Sequence, residues 1–218
     1  MQAQRQAYFT AQEYLDMERL APTKSEYYAG EIFAMAGASS RHTVIVANVV
    51  YLLVGQLKGR KCSAHANDLR VHVKQAGLYN YPDVLVVCGQ PLFADNQKDT
   101  LLNPNVIVEV LSDSIEKWDR GRKFAMYRTI ESLTDYLLIT QNSALVEHYV
   151  RQPTGQWILS DHRGLEAAVV IASIDCTLPL ADIYGKVEFD ADPVPSMLRL
   201  VKEPEAEYEA AQRPPGMS

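Results

Sequence analysis

The stretch YNYPDVLVVCG, residues 79–89, is a run of mostly apolar residues interrupted by one carboxylate, Asp83. A second run, NPNVIVEVLSDS at residues 103–114, carries Glu109 among valine, isoleucine and leucine. Both runs are apolar on both faces, which is the pattern of central strands covered on both sides. Ionised carboxylates rarely enter a core unless another group compensates for their lost hydration. The two runs therefore predict central strands that lead to a functional site.

The two carboxylates indicate a site for a hard divalent cation. We expect Asp83 to share a strand face with Tyr81 and Leu85. If the strands are neighbours, Asp83 and Glu109 stand about 5 Å apart and repel each other unless a cation lies between them or one is protonated. Mg²⁺ binds carboxylate and carbonyl oxygens and keeps several waters, so two acids and one carbonyl are enough. The alternative for either acid alone is a strand-end residue whose oxygens accept from backbone amides.

The rest of the chain alternates between helix and strand signals. A capping box at Thr10 and Glu13 predicts a short helix, and Ser39 or Ser40 can cap a longer one. Further elements are predicted from sequence patterns: a hairpin at 25–37 around Ala29-Gly30, a strand at 63–74, a helix at 117–132, strands at 134–140, 145–152 and 156–163, and one more strand with an ending turn at 167–189. This order predicts an α/β or α+β fold, with a mixed central sheet flanked by helices.

Length and composition predict one globular domain over residues 1–189. Residues 190–218, rich in Pro, Glu and Ala, are predicted to form a loosely ordered tail. No segment reaches the roughly 18 apolar residues of a membrane span, and the N-terminus has no apolar signal region, so no membrane association is expected. The three cysteines are far apart, which argues against a disulfide framework or zinc knuckle and predicts a reducing, cytoplasmic location.

The predicted helix at 117–132 adds positive charge. Asp119, Lys123 and Tyr127 lie at i, i+4 and i+8 and therefore share one face. The usual outcome of such spacing is an exposed ion pair. The functional interpretation is a cation turned toward the acids, where it holds a phosphate or the attacking water, with Arg120 and Arg122 nearby.

Asp83 in YPDVLVV and Glu109 in VIVEVLS, followed by DRGRKFAMY and DYLLIT, resemble a large bacterial family of restriction-endonuclease-like proteins in the PD-(D/E)XK nuclease superfamily. The resemblance covers most of the chain to about residue 185. It implies a restriction-endonuclease-like core and hydrolysis of DNA phosphodiester bonds with Mg²⁺, or Mn²⁺ in its place. Asp83, Glu109 and the Val110 carbonyl would bind the metal.

The chain departs from the superfamily pattern in one place. Leu111 stands two residues after Glu109, where the pattern has lysine, and the matching lysine of this family is Lys123 in the following helix. The resemblance thus implies that Lys123 is catalytic. Arg120, Arg122 and Tyr127 are expected to contact phosphate.

Four further residues match recurring positions of the family: Glu26, Glu31, His42 and Asp68. Glu26 or Glu31 could serve a second metal, although a surface position in the hairpin is favoured for Glu31. His42 is more often a structural hydrogen-bonding residue than a catalyst. Asp68 is either a third acid of the site or a partner of Arg70.

These observations leave three hypotheses. The first is a Mg²⁺-dependent endonuclease, expected as a homodimer because two-fold symmetry suits cleavage of both strands. The second is a nuclease fold with weak or no activity that binds or assembles with a partner protein. The net charge of −6 favours it, because phosphate contacts require Lys and Arg. The third is a hydrolase of small phosphate esters that uses the same acids.

Overall fold

Two β-sheets, a hairpin of two strands and a few helices make up the part of the chain that the structure describes. The computed structural model describes residues 8–35, 37–111 and 119–190. The elements are α1 (Ala11–Glu18), β1 (Ser25–Tyr28), β2 (Glu31–Ala34), α2 (Ser40–Leu57), β3 (Cys62–Ala66), β4 (Arg70–Val73), β5 (Leu78–Asn80), β6 (Val84–Cys88), β7 (Thr100–Leu101), β8 (Val106–Leu111), a π-helical turn (Asp119–Lys123), α3 (Phe124–Tyr127), β9 (Asp135–Thr140), β10 (Leu145–Arg151), β11 (Trp157–Arg163), β12 (Ala168–Ile171), a 3-10 turn (Ala172–Ile174), β13 (Cys176–Pro179) and α4 (Leu180–Ile183).

The larger sheet has the strand order β11-β10-β9-β8-β6-β3, and the smaller one β2-β1-β5-β4-β7. In the larger sheet β8 and β9 run parallel and the other neighbours antiparallel. The smaller sheet is mixed as well, since β4 and β7 are parallel. The predicted mixed sheet flanked by helices is therefore confirmed.

The larger sheet lies between two apolar clusters. On one face, Val106, Val108 and Val110 of β8 pack against α2, the β12–β13 hairpin and α4. On the other face, Ile107 and Leu111 pack against α3 and the smaller sheet. All six residues of β8 are buried. The strand is thus covered on both sides, as its apolar composition predicts.

The local signals at the N-terminal end are confirmed. Thr10 caps α1 through the predicted capping box with Glu13. The β1–β2 hairpin turns at Ala29 (φ 52°) and Gly30 (φ 92°), the left-handed pair that a two-residue hairpin loop requires. Ser39 caps α2, with its side chain accepting a hydrogen bond from the His42 amide.

Three predicted elements differ from the structure. The single strand predicted at 63–74 is wrong, because Asn67 adopts a left-handed φ of 40° and the chain passes from β3 in one sheet to β4 in the other. The region 167–189 forms two strands and a short helix instead of one strand. The helix predicted at 117–132 is described only from Asp119, and it consists of a π-helical turn followed by one α-helical turn.

The expectation of unpaired cysteines is also wrong. Cys62 and Cys88 form a disulfide that joins β3 to β6, and only Cys176 is a free cysteine in the described residues. The two residues are direct cross-strand partners with Cα atoms 4.0 Å apart, a pairing that their separation along the chain conceals. The cytoplasmic location, which was argued from cysteine usage, stays a prediction without that support.

Two further predictions concern the ends of the chain and membranes. Most of the predicted tail, residues 191–218, lies outside the described residues, while Asp190 pairs with Arg41 at the start of α2. Among the described helices, none combines the length and the apolar character needed to cross a bilayer.

Candidate active site

Asp83 lies where the chain passes from the smaller sheet to the larger one. It precedes β6 and is not inside the strand as predicted. Strand β6 begins at Val84, which pairs with Val108, so the next amide of β8 on that edge, Val110 N–H, has no strand partner in β6. Asp83 Oδ2 accepts a hydrogen bond from this amide at 2.7 Å and lies 3.1 Å from His42 Nε2. This contact is the one expected of a strand-end acid whose oxygens accept hydrogen bonds from backbone amides. Asp83 also lines a cleft, so the same carboxylate borders a possible binding site.

The backbone carbonyl of Val110 belongs to the same edge. The N–H and C=O of one strand residue point to the same side, so the carbonyl also faces the gap beyond the start of β6. Val110 lines the cleft together with Asp83 and Glu109. The three groups expected to bind a metal therefore belong to residues that line one cleft.

Glu109 points into the interior on the opposite face from α2. Its side chain is 5% exposed, Oε1 accepts a hydrogen bond from Tyr127 Oη at 2.8 Å, and Lys123 Nζ is 3.0 Å away. Tyr127 Oη in turn accepts a hydrogen bond from Asn80 Nδ2. Burial raises the pKa of the Glu109 carboxyl above its ordinary value, although Lys123 acts in the opposite direction.

Lys123 is surrounded by three carboxylates. Its Nζ lies 3.0 Å from Glu109, 3.3 Å from Asp119 and 3.6 Å from Glu26, and its side chain is 5% exposed. Burial lowers the pKa of Lys123, but the Glu109 carboxylate and the two other acids outweigh this and hold it well above the ordinary value. The surrounding acids therefore favour the protonated form of Lys123.

The carboxyl groups near this ammonium outnumber it. Glu26, Asp83, Glu109 and Asp119 supply four carboxylates against the one charge of Lys123. Asp119 Oδ1 faces only the Lys123 ammonium, at 3.3 Å, and Oδ2 has no hydrogen-bond donor within the described residues; burial raises the pKa of Asp119 as it does that of Glu109. The raised pKa values favour the neutral forms of Glu109 and Asp119, and a divalent cation bound beside them would favour the ionised forms.

The side chains alone form no complete metal-ligand cluster. No group of three His, Cys, Asp or Glu side chains in the described ranges is arranged to hold an ion. Mg²⁺ needs only one or two carboxylates, with carbonyl oxygens and waters completing its shell. The Asp83 and Glu109 carboxylates with the Val110 carbonyl fit that requirement.

The acids form the floor of a large cleft of about 1530 Å³. Gln141 braces one wall, because it accepts a hydrogen bond from Ser39 Oγ and donates one to the Leu111 carbonyl. These bonds tie the start of α2 to the end of β8. The basic residues Lys24, Arg41 and Arg122 also line the cleft.

The structure separates the three residues expected to contact phosphate. Arg122 is exposed and lines the cleft. Arg120 pairs with Glu147 on β10 and does not line the cleft. A phosphate contact by Tyr127 is wrong, because the side chain is completely buried and its hydroxyl is engaged by Glu109 and Asn80.

The structure brings only some of the four additional candidate residues into the site. Glu26 reaches Lys123 and His42 reaches Asp83, so both belong to the site. Glu31 does not line the cleft. Asp68 stands at the rim, 86% exposed, and pairs with Lys24 at 2.7 Å.

The predicted alternative partner of Asp68 is engaged elsewhere. Arg70 is buried and pairs with Asp99 at 3.0 Å, while its guanidinium donates to Tyr81 Oη. The pairing of Asp68 with Arg70 is therefore wrong.

Sequence reasoning missed Asn80 and Gln141 and did not assign Asp119 to the site. The spacing of Asp119 and Lys123 was visible, but a surface pair has the same spacing. Asn80 and Gln141 act through partners distant in sequence, and no local pattern marks them.

Comparisons with known proteins identify the family and the fold. Residues 11–180 match the family Uma2, described as "Putative restriction endonuclease". Two uncharacterized proteins of Synechocystis sp., sll1609 and slr1290, are 40% and 32% identical, over 73% and 82% of this chain and 90% and 92% of their own. A crystal structure from Anabaena variabilis, titled as a putative nuclease belonging to DUF820, superposes with a TM-score of 0.66 at 19% identity, covering 81% of this chain and 97% of that chain.

Proposed function

The chain belongs to the Uma2 family, as its motifs predict, and we propose that it is a divalent-metal-dependent endonuclease that hydrolyses phosphodiester bonds in DNA. The observation that supports this most strongly is the surplus of carboxylates around one buried lysine on the floor of a cleft. Such a surplus has no structural benefit, since buried charge destabilises a fold unless it is compensated.

Asp83, Glu109 and the Val110 carbonyl are the groups that would hold the metal. Bound there, Mg²⁺ or Mn²⁺ would supply Lewis acidity toward a phosphoryl oxygen and lower the pKa of a bound water. Asp83 is held in place by the Val110 amide and His42, and Glu109 by Tyr127. Both carboxylates are therefore fixed before a ligand arrives, which reduces the cost of ordering them.

Lys123 would stabilise the negative charge that develops on the scissile phosphate. Its ammonium is 3.0 Å from Glu109 and remains protonated, so a phosphate oxygen beside Glu109 would lie within its reach. Glu26 and Asp119 hold the ammonium from its other sides. Arg122, exposed in the same cleft, would bind a neighbouring phosphate.

Cleavage of plasmid DNA tests this proposal. Wild-type protein should cut DNA with Mg²⁺ or Mn²⁺ and not with EDTA. Asp83→Asn and Glu109→Gln should each reduce the rate at least about a hundredfold, because both remove a negative charge without changing side-chain size. Asp161→Asn is the matched control, since Asp161 lies on edge strand β11 outside the cleft and pairs only with the exposed Arg163 among the described ion pairs.

The assay also separates the endonuclease from the inactive-scaffold hypothesis. Equal cleavage by wild type and Asp83→Asn would contradict the assigned site. A wild type without cleavage whose melting temperature is unchanged by metal would support a binding or assembly module, because an intact acid site gains stability from its cation. Homodimer formation stays a prediction, and analytical ultracentrifugation tests it.

A further inference from the structure

Phe33 is an exposed aromatic residue inside the cleft. Its side chain is 46% exposed, and it lines the same cavity as Asp83, Glu109 and Lys123. A single exposed phenylalanine is ordinary on a protein surface. One that stands in a concave site with charged groups is a candidate for ligand contact.

The strand register places this ring next to the acids. Phe33 on β2 is the direct cross-strand partner of Glu26 on β1. Directly opposed residues project from the same face with Cβ atoms about 4.5–5.5 Å apart. Glu26 Oε1 lies 3.6 Å from Lys123 Nζ, so the ring projects from the same sheet face as a carboxylate that contacts Lys123.

The backbone around Phe33 keeps the ring available. Strand β2 is the edge of the smaller sheet, and its Phe33 and Ala34 positions are both exposed. The turn at Ala29-Gly30 fixes the hairpin register, so Phe33 cannot exchange faces with Ile32. The ring is therefore held on the cleft side.

The same cleft carries groups suited to a nucleic-acid backbone. Lys24 pairs with Asp68 and Arg41 pairs with Asp190, and these two acids are 86% and 78% exposed. Exposed ion pairs contribute little, so a phosphate can replace either carboxylate at small cost. A charged groove that follows the backbone, together with an aromatic side chain that stacks on a base, is how proteins bind single strands.

We propose that Phe33 is a stacking platform for an unpaired base and that the cleft binds single-stranded DNA. In a duplex each base is covered by its neighbours on both faces, so the ring has no free surface to contact. In a single strand every base has an exposed face. This inference rests on the proposed function for the cleavage step, but the binding it describes can be measured without cleavage.

Fluorescence anisotropy at one fixed salt concentration tests it, with Ca²⁺ or EDTA in place of Mg²⁺. The ligands are a labelled single-stranded oligonucleotide, the blunt duplex of the same sequence and the RNA single strand. Wild type should prefer the DNA single strand. Phe33→Ala should weaken its binding roughly tenfold, and Phe33→Trp should restore it.

Tyr51→Ala is the matched control, because Tyr51 is a 79% exposed aromatic residue on α2 that does not line the cleft. The Tyr51→Ala variant should bind single-stranded DNA as tightly as wild type. Three outcomes overturn the proposal: no binding or a preference for duplex or RNA, an equal loss on single strand and duplex, or no effect of Phe33→Ala.

The cleavage assay distinguishes this inference from the proposed nuclease activity. Stacking-dependent binding without metal-dependent cleavage would leave the role of Phe33 intact and overturn the nuclease. Metal-dependent cleavage that is lost in Asp83→Asn, together with unchanged single-strand affinity in Phe33→Ala, would establish the nuclease and overturn the role of Phe33.

Discussion

Glu109 is the residue at which stability and function conflict most directly. The other five residues of β8 are apolar and buried, and an apolar side chain would suit position 109 equally well. The carboxylate is instead held in the interior by Lys123 and Tyr127 while burial raises its pKa. Replacing buried ion pairs by apolar residues is often neutral or stabilising, so stability does not explain this glutamate. The proposed role in binding a cation would explain it.

Tyr127→Phe should weaken catalysis without abolishing it. The substitution removes the hydrogen bond from Tyr127 Oη to Glu109 and leaves Asn80 Nδ2 without its acceptor. We expect metal affinity and cleavage rate to fall about tenfold, the range seen when a group that orients a metal ligand is lost. Calorimetric titration of Mn²⁺ with parallel plasmid cleavage measures both.

The control for this change is Tyr184→Phe. Tyr184 is also buried, and its hydroxyl donates hydrogen bonds to the Thr140 and Leu145 carbonyls, away from the acids. It should lose a similar amount of stability, roughly 1–3 kcal/mol, and keep full metal affinity. Equal metal affinity in the two variants would contradict a positioning role for Tyr127.

Asp99 should account for part of the stability lost in acid. A hydrogen bond from Arg19 holds the pKa of Asp99 at about 2, below its ordinary value of 3.8. Between these values the unfolded chain binds more protons than the native state, so this stability is present above pH 4 and lost as the pH falls toward 2.

Asp99→Asn should therefore reduce the fall in the free energy of unfolding between pH 4 and pH 2. At pH 7 we expect a loss of at least roughly 1–2 kcal/mol in urea unfolding, because the exposed pair with Arg19 contributes little but the buried Arg70 also loses its carboxylate partner. Asp161→Asn, which removes a more exposed ion pair, should cost less. An unchanged pH profile in Asp99→Asn would contradict the assignment.

At the scale of elements, the staggered start of β6 creates the site. Because β6 begins at Val84, opposite Val108, the Val110 N–H has no strand partner in β6 and donates its hydrogen bond to Asp83 instead. The π-helical turn at Asp119–Lys123 supplies the opposing lysine. Such turns are rare and frequently occur at functional sites.

The Cys62–Cys88 disulfide should stabilise edge strand β3. It closes a loop between residues separated by 26 positions and joins β3 to β6. Reduction, or Cys62→Ser with Cys88→Ser, should lower the free energy of unfolding by about 2–4 kcal/mol. Thermal melting with and without reductant measures this.

The doubly substituted protein serves as the control for reduction. It should melt at the temperature of the reduced wild type and show no response to reductant. A wild type whose melting temperature is the same with and without reductant would contradict the disulfide.

Helix α2 should contribute stability through one face only. Leu53 is completely buried against the larger sheet, and Leu53→Ala should cost about 2–5 kcal/mol because a cavity remains. Tyr51→Ala, on the outer face, should cost less than about 0.5 kcal/mol. Chemical denaturation compares the two, and equal costs would contradict the observed orientation of the helix.

For the whole molecule, the sequence was sufficient to predict those elements that are determined by residues close together in the chain. The apolar runs predict β6 and β8, and the caps predict α1 and α2, because periodicity and capping act within a few residues. The same runs indicated Asp83 and Glu109. Contacts between distant segments could not be predicted in this way.

Two examples show what escapes such reasoning. The approach of Glu26 to Lys123 depends on how the smaller sheet packs against the larger one. The break at Asn67, which divides one predicted strand between two sheets, depends on a left-handed residue within an otherwise alternating pattern. Both are decided by tertiary packing, for which a single sequence carries no local signal.

The measurement that tests the central claim most directly is a calorimetric titration of Mn²⁺ into wild type and Asp83→Asn, with Asp161→Asn as control. Binding to wild type and to the control, lost in Asp83→Asn, is the predicted result, because the cation requires the carboxylate pair. Equal binding by all three proteins, or none by wild type at millimolar Mn²⁺, would contradict a metal site formed by Asp83 and Glu109.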